Sequence, residues 1–138
     1  MTSQGQERTL EANGARVTGL NHVNLRSPDV AATGQFYCDL LGMTMREPET
    51  SMETGQSRWL CDANGVAILH LRHMDVTRED GGAVDQVALN CTGMTAILDR
   101  MRSRGIPFGR NDGLVPGMTQ IFVAAPQNVR LELIFMNE

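Results

Sequence analysis

A chain of 138 residues, 41% hydrophobic and 20% charged, has the make-up of one ordinary globular domain with room for one sizeable core. A formal net charge of -4 argues against general nucleic-acid binding, which needs a basic surface to displace counterions, and no apolar run approaches the roughly 20 residues that span a bilayer. Cys38, Cys61 and Cys91 are odd in number and scattered, with no C-x-x-C pair, so they argue against a disulfide framework or a thiolate zinc cage and read as small buried hydrophobes.

The first segment, "MTSQGQERTLEANGAR" (residues 1–16), is polar and lacks the apolar stretch of a signal peptide. It is expected to be a flexible N-terminal arm, which predicts a cytoplasmic protein whose partner is a small molecule and neither a membrane nor a nucleic acid. The stretch "GLNHVNLRSPD" then alternates like a half-buried strand and runs into a helix start. Ser27 offers a capping hydroxyl, Pro28 suits the first helical position, and Asp29 complements the helix dipole. Val30, Gly34, Tyr37 and Leu41 keep helical spacing, with Tyr37 expected in the core, and Gly42 supplies the left-handed stop.

Turn residues at Glu47-Pro48 and Ala63-Asn64-Gly65 separate short strands that end with "GVAILHL", and His73 is expected in the turn that follows. Residues 78–82, Arg-Glu-Asp-Gly-Gly, read as a linker. A second strand, "VDQVALN", precedes a helix with the apolar stripe Met94, Ile97, Leu98 and Met101, closed by Gly105. Three more strands follow, divided by Asn111-Asp112-Gly113, Pro116-Gly117 and Ala125-Pro126-Gln127-Asn128.

The two halves repeat one plan at a nearly constant offset: His22 falls on Gln86, Gly42 on Gly105, and the strand near residue 70 on "NVRLELIF". Each half reads strand, helix, three strands, so the class is α+β, with one domain over residues 17–137 built of modules 17–76 and 83–137.

Side chains alternate across a strand, so parity assigns faces. Val23, Leu25, Leu69, Leu71, Val87, Leu89, Leu131 and Leu133 share the face that apolar helix stripes must cover. His22, His70, Gln86 and Glu132 fall on the opposite face of a curved sheet. A lone strand histidine, or a lone Glu or Gln, is ordinary. Two imidazoles, one carboxylate and one amide oxygen at corresponding positions of a duplicated unit form a nitrogen and oxygen shell suited to a divalent metal.

"LNHVNLRSPDVAATGQFYCDLLGM" and the closing "AAPQNVRLELIF" resemble the vicinal oxygen chelate superfamily of glyoxalases, bleomycin and fosfomycin resistance proteins and extradiol dioxygenases. The likeness covers about residues 15 to 137. It implies paired βαβββ modules forming a cup-shaped mixed sheet with helices on the outer face, often exchanged or packed across a homodimer. It also implies metal ligands at His22, His70, Gln86 and Glu132, holding one divalent ion of the Fe, Mn, Zn, Ni, Co or Mg group. Gln86 departs from the histidine common at its position, and Ala125 replaces the common Asp of the final turn, a structural change.

Ligand count separates the reaction classes. Four protein ligands on an octahedral ion leave two adjacent positions, enough to chelate vicinal substrate oxygens for lyase or isomerase chemistry, with Glu132 as the base that moves a proton. With Gln86 outside the shell, His22, His70 and Glu132 resemble the two-histidine, one-carboxylate triad of an Fe(II) ring-cleaving dioxygenase. Extradiol members, however, take histidine at the Gln86 position, which favours the lyase or isomerase reading. Metal-free drug sequestration ranks third, because only 4% of residues are aromatic. Asn24, Arg72 and Gln120 are candidate substrate contacts.

Overall fold

The computed structural model describes residues 20–47, 56–75 and 86–138; the arm, the 78–82 linker, the module boundaries at 17, 76 and 83, and Pro48 lie outside the described residues. The order of elements is β1 (Val23–Ser27), α1 (Val30–Leu41), β2 (Thr44–Arg46), β3 (Ser57–Cys61), β4 (Ala67–His73), β5 (Val87–Asn90), α2 (Met94–Ser103), β6 (Phe108–Asp112), β7 (Met118–Ala125) and β8 (Val129–Met136). This is the α+β, twice-written βαβββ plan. The mixed sheet is divided between the modules into two four-stranded sheets, ordered β1-β4-β3-β2 and β5-β8-β7-β6. In each, the first strand runs parallel to the last, and the other pairings are antiparallel.

Helix α1 starts two residues later than the capping hydroxyl suggested. The cap is Asp29, whose carboxylate accepts from the Ala32 amide at 3.0 Å. Ser27 ends β1; its buried hydroxyl accepts from the Asp29 amide and bonds the Thr33 hydroxyl, tying strand to helix. Gly42 ends the helix in the left-handed conformation, φ 70°, and its amide bonds the Cys38 carbonyl. Val30, Gly34 and Tyr37 are buried as expected, and only the last position of the stripe shifts, with Leu40 fully buried and Leu41 half so. His73 closes β4 and bonds Asp75 beyond the strand end.

Helix α2 has no capping side chain of its own, since Gly93 holds the N-cap position. The Glu138 carboxylate takes that role from the far end of the module, accepting from the Gly93 and Met94 amides at 3.0 and 2.9 Å. In the turn before β8, Gln127 and Asn128 both adopt positive φ, 65° and 61°. Asn tolerates that region better than most residues.

One hydrophobic core joins both modules, with Tyr37, Leu40, Leu60, Leu69 and Leu71 from the first and the α2 stripe, Ile121, Leu131, Leu133 and Phe135 from the second. Helix α1 packs on β3 and β4 and also touches α2, where the Arg100 guanidinium donates to the Leu40 carbonyl at 3.1 Å. Burial pushes the Tyr37 hydroxyl above its ordinary pKa, and its oxygen has no hydrogen-bond partner among the described residues. A buried hydroxyl left unbonded is a net cost, so Tyr37→Phe is expected to stabilise the protein by about 1 kcal/mol and raise the thermal midpoint by a few degrees. A fall in the midpoint would show that the hydroxyl is bonded in solution. Among the described residues no helix is long and apolar enough to cross a membrane.

Candidate functional site

Leucine parity sets the geometry of the first sheet. Leu25, Leu60, Leu69 and Leu71 turn to the core, so their alternates turn to the other face. Across that face one row runs Asn24, His70, Trp59, Arg46, and the next runs Arg26, Arg72, Ser57. The Trp59 indole stacks on the His70 imidazole with ring centroids 4.0 Å apart and planes 2° from parallel. His22, just before β1, meets Trp59 edge-on at 4.9 Å and lies 6.1 Å from His70, centroid to centroid. Its Nδ1 bonds Asn21 Oδ1 at 2.6 Å. A carbonyl oxygen only accepts, so Nδ1 carries the proton and Nε2 keeps the lone pair a metal ligand needs.

In place of the imidazole pair, the second sheet presents a carboxylate with an amide partner, Glu132 with Gln86. Glu132 stands between Phe122 and Ala88 in register and is 8% exposed. The Gln86 amide donates from Nε2 to Glu132 Oε1 at 2.6 Å, which holds the carboxylate in place. Gln120 lies on the same face, opposite Ile134; it is buried and accepts from Asn111 Nδ2 at 2.8 Å. Arg130 lies over the Phe122 ring at 5.5 Å.

The single chain therefore gathers the expected donors as two pairs, His22 with His70 and Gln86 with Glu132. Among the described residues no group of three or more His, Cys, Asp or Glu side chains stands close enough to hold a metal ion. Of the candidate substrate contacts, Asn24 and Arg72 are exposed beside the imidazole pair, and Gln120 is buried beside the carboxylate pair. A cavity of about 490 Å³ opens between the modules, lined by Val23, Leu41, Met43, Val87, Leu89 and Ile97, and it also reaches His22 and Cys91. Burial, with Glu138 nearby, pushes the Cys91 thiol up to about 11. It stays protonated at neutral pH, which removes it as a nucleophile.

Trp59 went unnoticed in the sequence, yet it touches both histidines. The signal lies in "SRWLC", where Ser57 and Trp59 alternate with the core residue Leu60 on a middle strand of the module.

With metal–nitrogen bonds of about 2.1 Å and a ring radius of roughly 1.1 Å, two rings on one ion lie about 4.5 to 5.2 Å apart at octahedral or tetrahedral angles, so the 6.1 Å between these rings must shorten for both to hold one ion. The hydrogen-bonded carboxylate of the second module is a matching oxygen donor.

The fold recurs in solved structures of low sequence identity. The glyoxylase/bleomycin resistance protein/dioxygenase domain from Frankia sp. EAN1pec superposes with a TM-score of 0.65 at 18% identity, over 89% of this chain and 95% of that one. The fosfomycin resistance protein FosX from Listeria monocytogenes gives 0.64 at 17% identity, over 86% and 91%. A virulence protein from Salmonella typhimurium gives 0.63 at 14%, over 88% and 99%. No curated protein sequence matches the chain. The sequence profile of the Glyoxalase/Bleomycin resistance protein/Dioxygenase superfamily matches residues 19–133. The chain belongs to that superfamily.

Proposed function

We propose that this protein is a divalent-metal-dependent enzyme of lyase or isomerase type, acting on a small molecule that presents two neighbouring oxygens. The observation that carries the reading is the placement of two donor pairs, His22 with His70 and Gln86 with Glu132, at corresponding positions of two like modules. A bound divalent ion supplies Lewis-acid polarisation of the substrate oxygens. His22 would hold the ion through Nε2, with Asn21 orienting the ring. Trp59 fixes the plane of His70 by stacking and keeps water from that side of the ring. Glu132, little exposed and steered by Gln86, is placed to accept a proton from a carbon beside the chelated carbonyl.

The separation of the pairs in one chain supports a homodimer in which the imidazole pair of one copy meets the carboxylate pair of the other. Strands β1 and β5 are both sheet edges, and such edges invite pairing.

Elemental analysis of the purified protein tests the reading. The wild type is expected to carry close to one divalent ion per chain, and the His22→Ala, Glu132→Ala double variant a background level. Equal metal content in the two would sink it. Oxygen uptake on catechols by anaerobically Fe(II)-loaded wild type, abolished in His70→Ala, would replace the isomerase reading by ring cleavage.

A further inference from the structure

The first sheet carries more positive charge than its own residues balance. Arg26 and Arg72 are direct neighbours across the parallel β1–β4 pair, and Arg46 lies on the same face beside Trp59. Like charges set opposite each other on a sheet are destabilising. Strands β1 to β4 contain no Asp or Glu, and none of the three guanidinium groups has an ion pair or hydrogen bond among the described residues. Among the described residues the carboxylates nearest in sequence are engaged elsewhere, Asp29 with the Ala32 amide, Glu47 with Arg58 and Asp75 with His73.

A second observation falls at the same place. Ser57 stands in register beside Arg72 and one residue pair from the Trp59–Arg46 row; it is 5% exposed, and among the described residues its hydroxyl has no hydrogen-bond partner. A buried hydroxyl is normally bonded, and an unbonded one among unpaired arginines fits an absent acceptor. Arginine forks match the oxygens of a phosphoryl group, and three of them with a hydroxyl donor suit a doubly charged anion better than a carboxylate.

We infer that the Arg26, Arg46, Arg72 and Ser57 face is a binding site for a phosphate-type dianion carried by the substrate. The inference rests on the function proposed above for its location, since the face adjoins His70 and Trp59. It narrows the substrate to small molecules with a phosphoryl-type group beside the chelating oxygens, and the Trp59 ring gives the adjoining carbon skeleton an apolar floor.

Trp59 is the only tryptophan of the chain and reports on the site directly. Chelator-treated protein is titrated at constant ionic strength near pH 7.5 with inorganic phosphate, phenyl phosphate, benzoate and benzyl alcohol, following tryptophan emission. Saturable changes are expected with the two phosphates, tighter for phenyl phosphate, with benzoate weaker by at least about tenfold and benzyl alcohol weaker still. Arg72→Gln and Arg46→Gln are each expected to raise the phosphate dissociation constant about tenfold or more, Ser57→Ala a few-fold, and Arg104→Gln, at the C-terminal end of α2 in the second module, not at all. Benzoate binding as well as phenyl phosphate, or Arg72→Gln and Arg46→Gln binding phosphate like the wild type, would overturn the inference. Because the protein is stripped of metal, phosphate binding by a chain that takes up no divalent ion would leave this site standing while the metal-enzyme reading fails. Metal uptake without phosphate binding would do the reverse.

Discussion

Phe135→Ala is expected to cost about 3–5 kcal/mol of stability, as truncation of a fully buried aromatic side chain does. Phe135 is fully buried on β8, the strand that pairs on both sides with β5 and β7. Truncating it removes the transfer free energy of a phenyl ring and leaves a cavity that two flanking strands resist closing. Against a total of about 5–15 kcal/mol for a domain, the variant stands at the edge of unfolding. Ile134→Ala, one residue away on the half-buried opposite face, is expected to cost distinctly less. Urea unfolding at fixed protein concentration measures both, with an unchanged slope as the sign that only stability moved. A loss below about 1 kcal/mol for Phe135→Ala would place the core elsewhere.

The same alternation that makes Phe135 core and Ile134 not core is what made most of the fold legible. Leucine and valine parity on β1, β4, β5 and β8 marks the core-facing side of each sheet, and the Met94, Ile97, Leu98, Met101 stripe is buried throughout. The glycine stops also read correctly, because a left-handed residue after a helix is a local requirement that Gly42 and Gly105 satisfy at φ 70° and 65°. What stayed hidden was non-local. Glu138 caps α2 across forty-odd residues of chain, a contact that no window on Gly93 reveals. The cap of α1 passed from Ser27 to Asp29 because the strand continues to Ser27, and Thr33 takes the serine hydroxyl. In the candidate site, parity put His22, His70, Gln86 and Glu132 on one face, but only strand order showed that they stand as pairs and that Trp59 lies between His70 and Arg46.

Glu132→Gln separates charge from shape at the carboxylate pair. Glutamine has nearly the volume of glutamate and keeps an oxygen that can accept from the Gln86 amide, so the 2.6 Å contact and the packing against Phe122 survive. Stability is expected within about 1 kcal/mol of the wild type. What the variant loses is the anionic oxygen, the only negative charge among the four donors. A neutral amide is a poorer ligand for a hard divalent ion, so the dissociation constant for Mn(II) is expected to rise at least about 100-fold. Gln86→Ala leaves the charge and removes only the group that aims it, and outer partners of this kind typically account for about 10- to 100-fold in affinity. The order of the two effects is the test. Calorimetric titration of each variant with Mn(II) should find Glu132→Gln weaker than Gln86→Ala, and both weaker than the wild type. If Gln86→Ala binds worse, the amide oxygen is the principal ligand of the second module and Glu132 its orienting partner. That result would still leave a metal site, but it would free the carboxylate to act on the proton of the bound substrate throughout turnover.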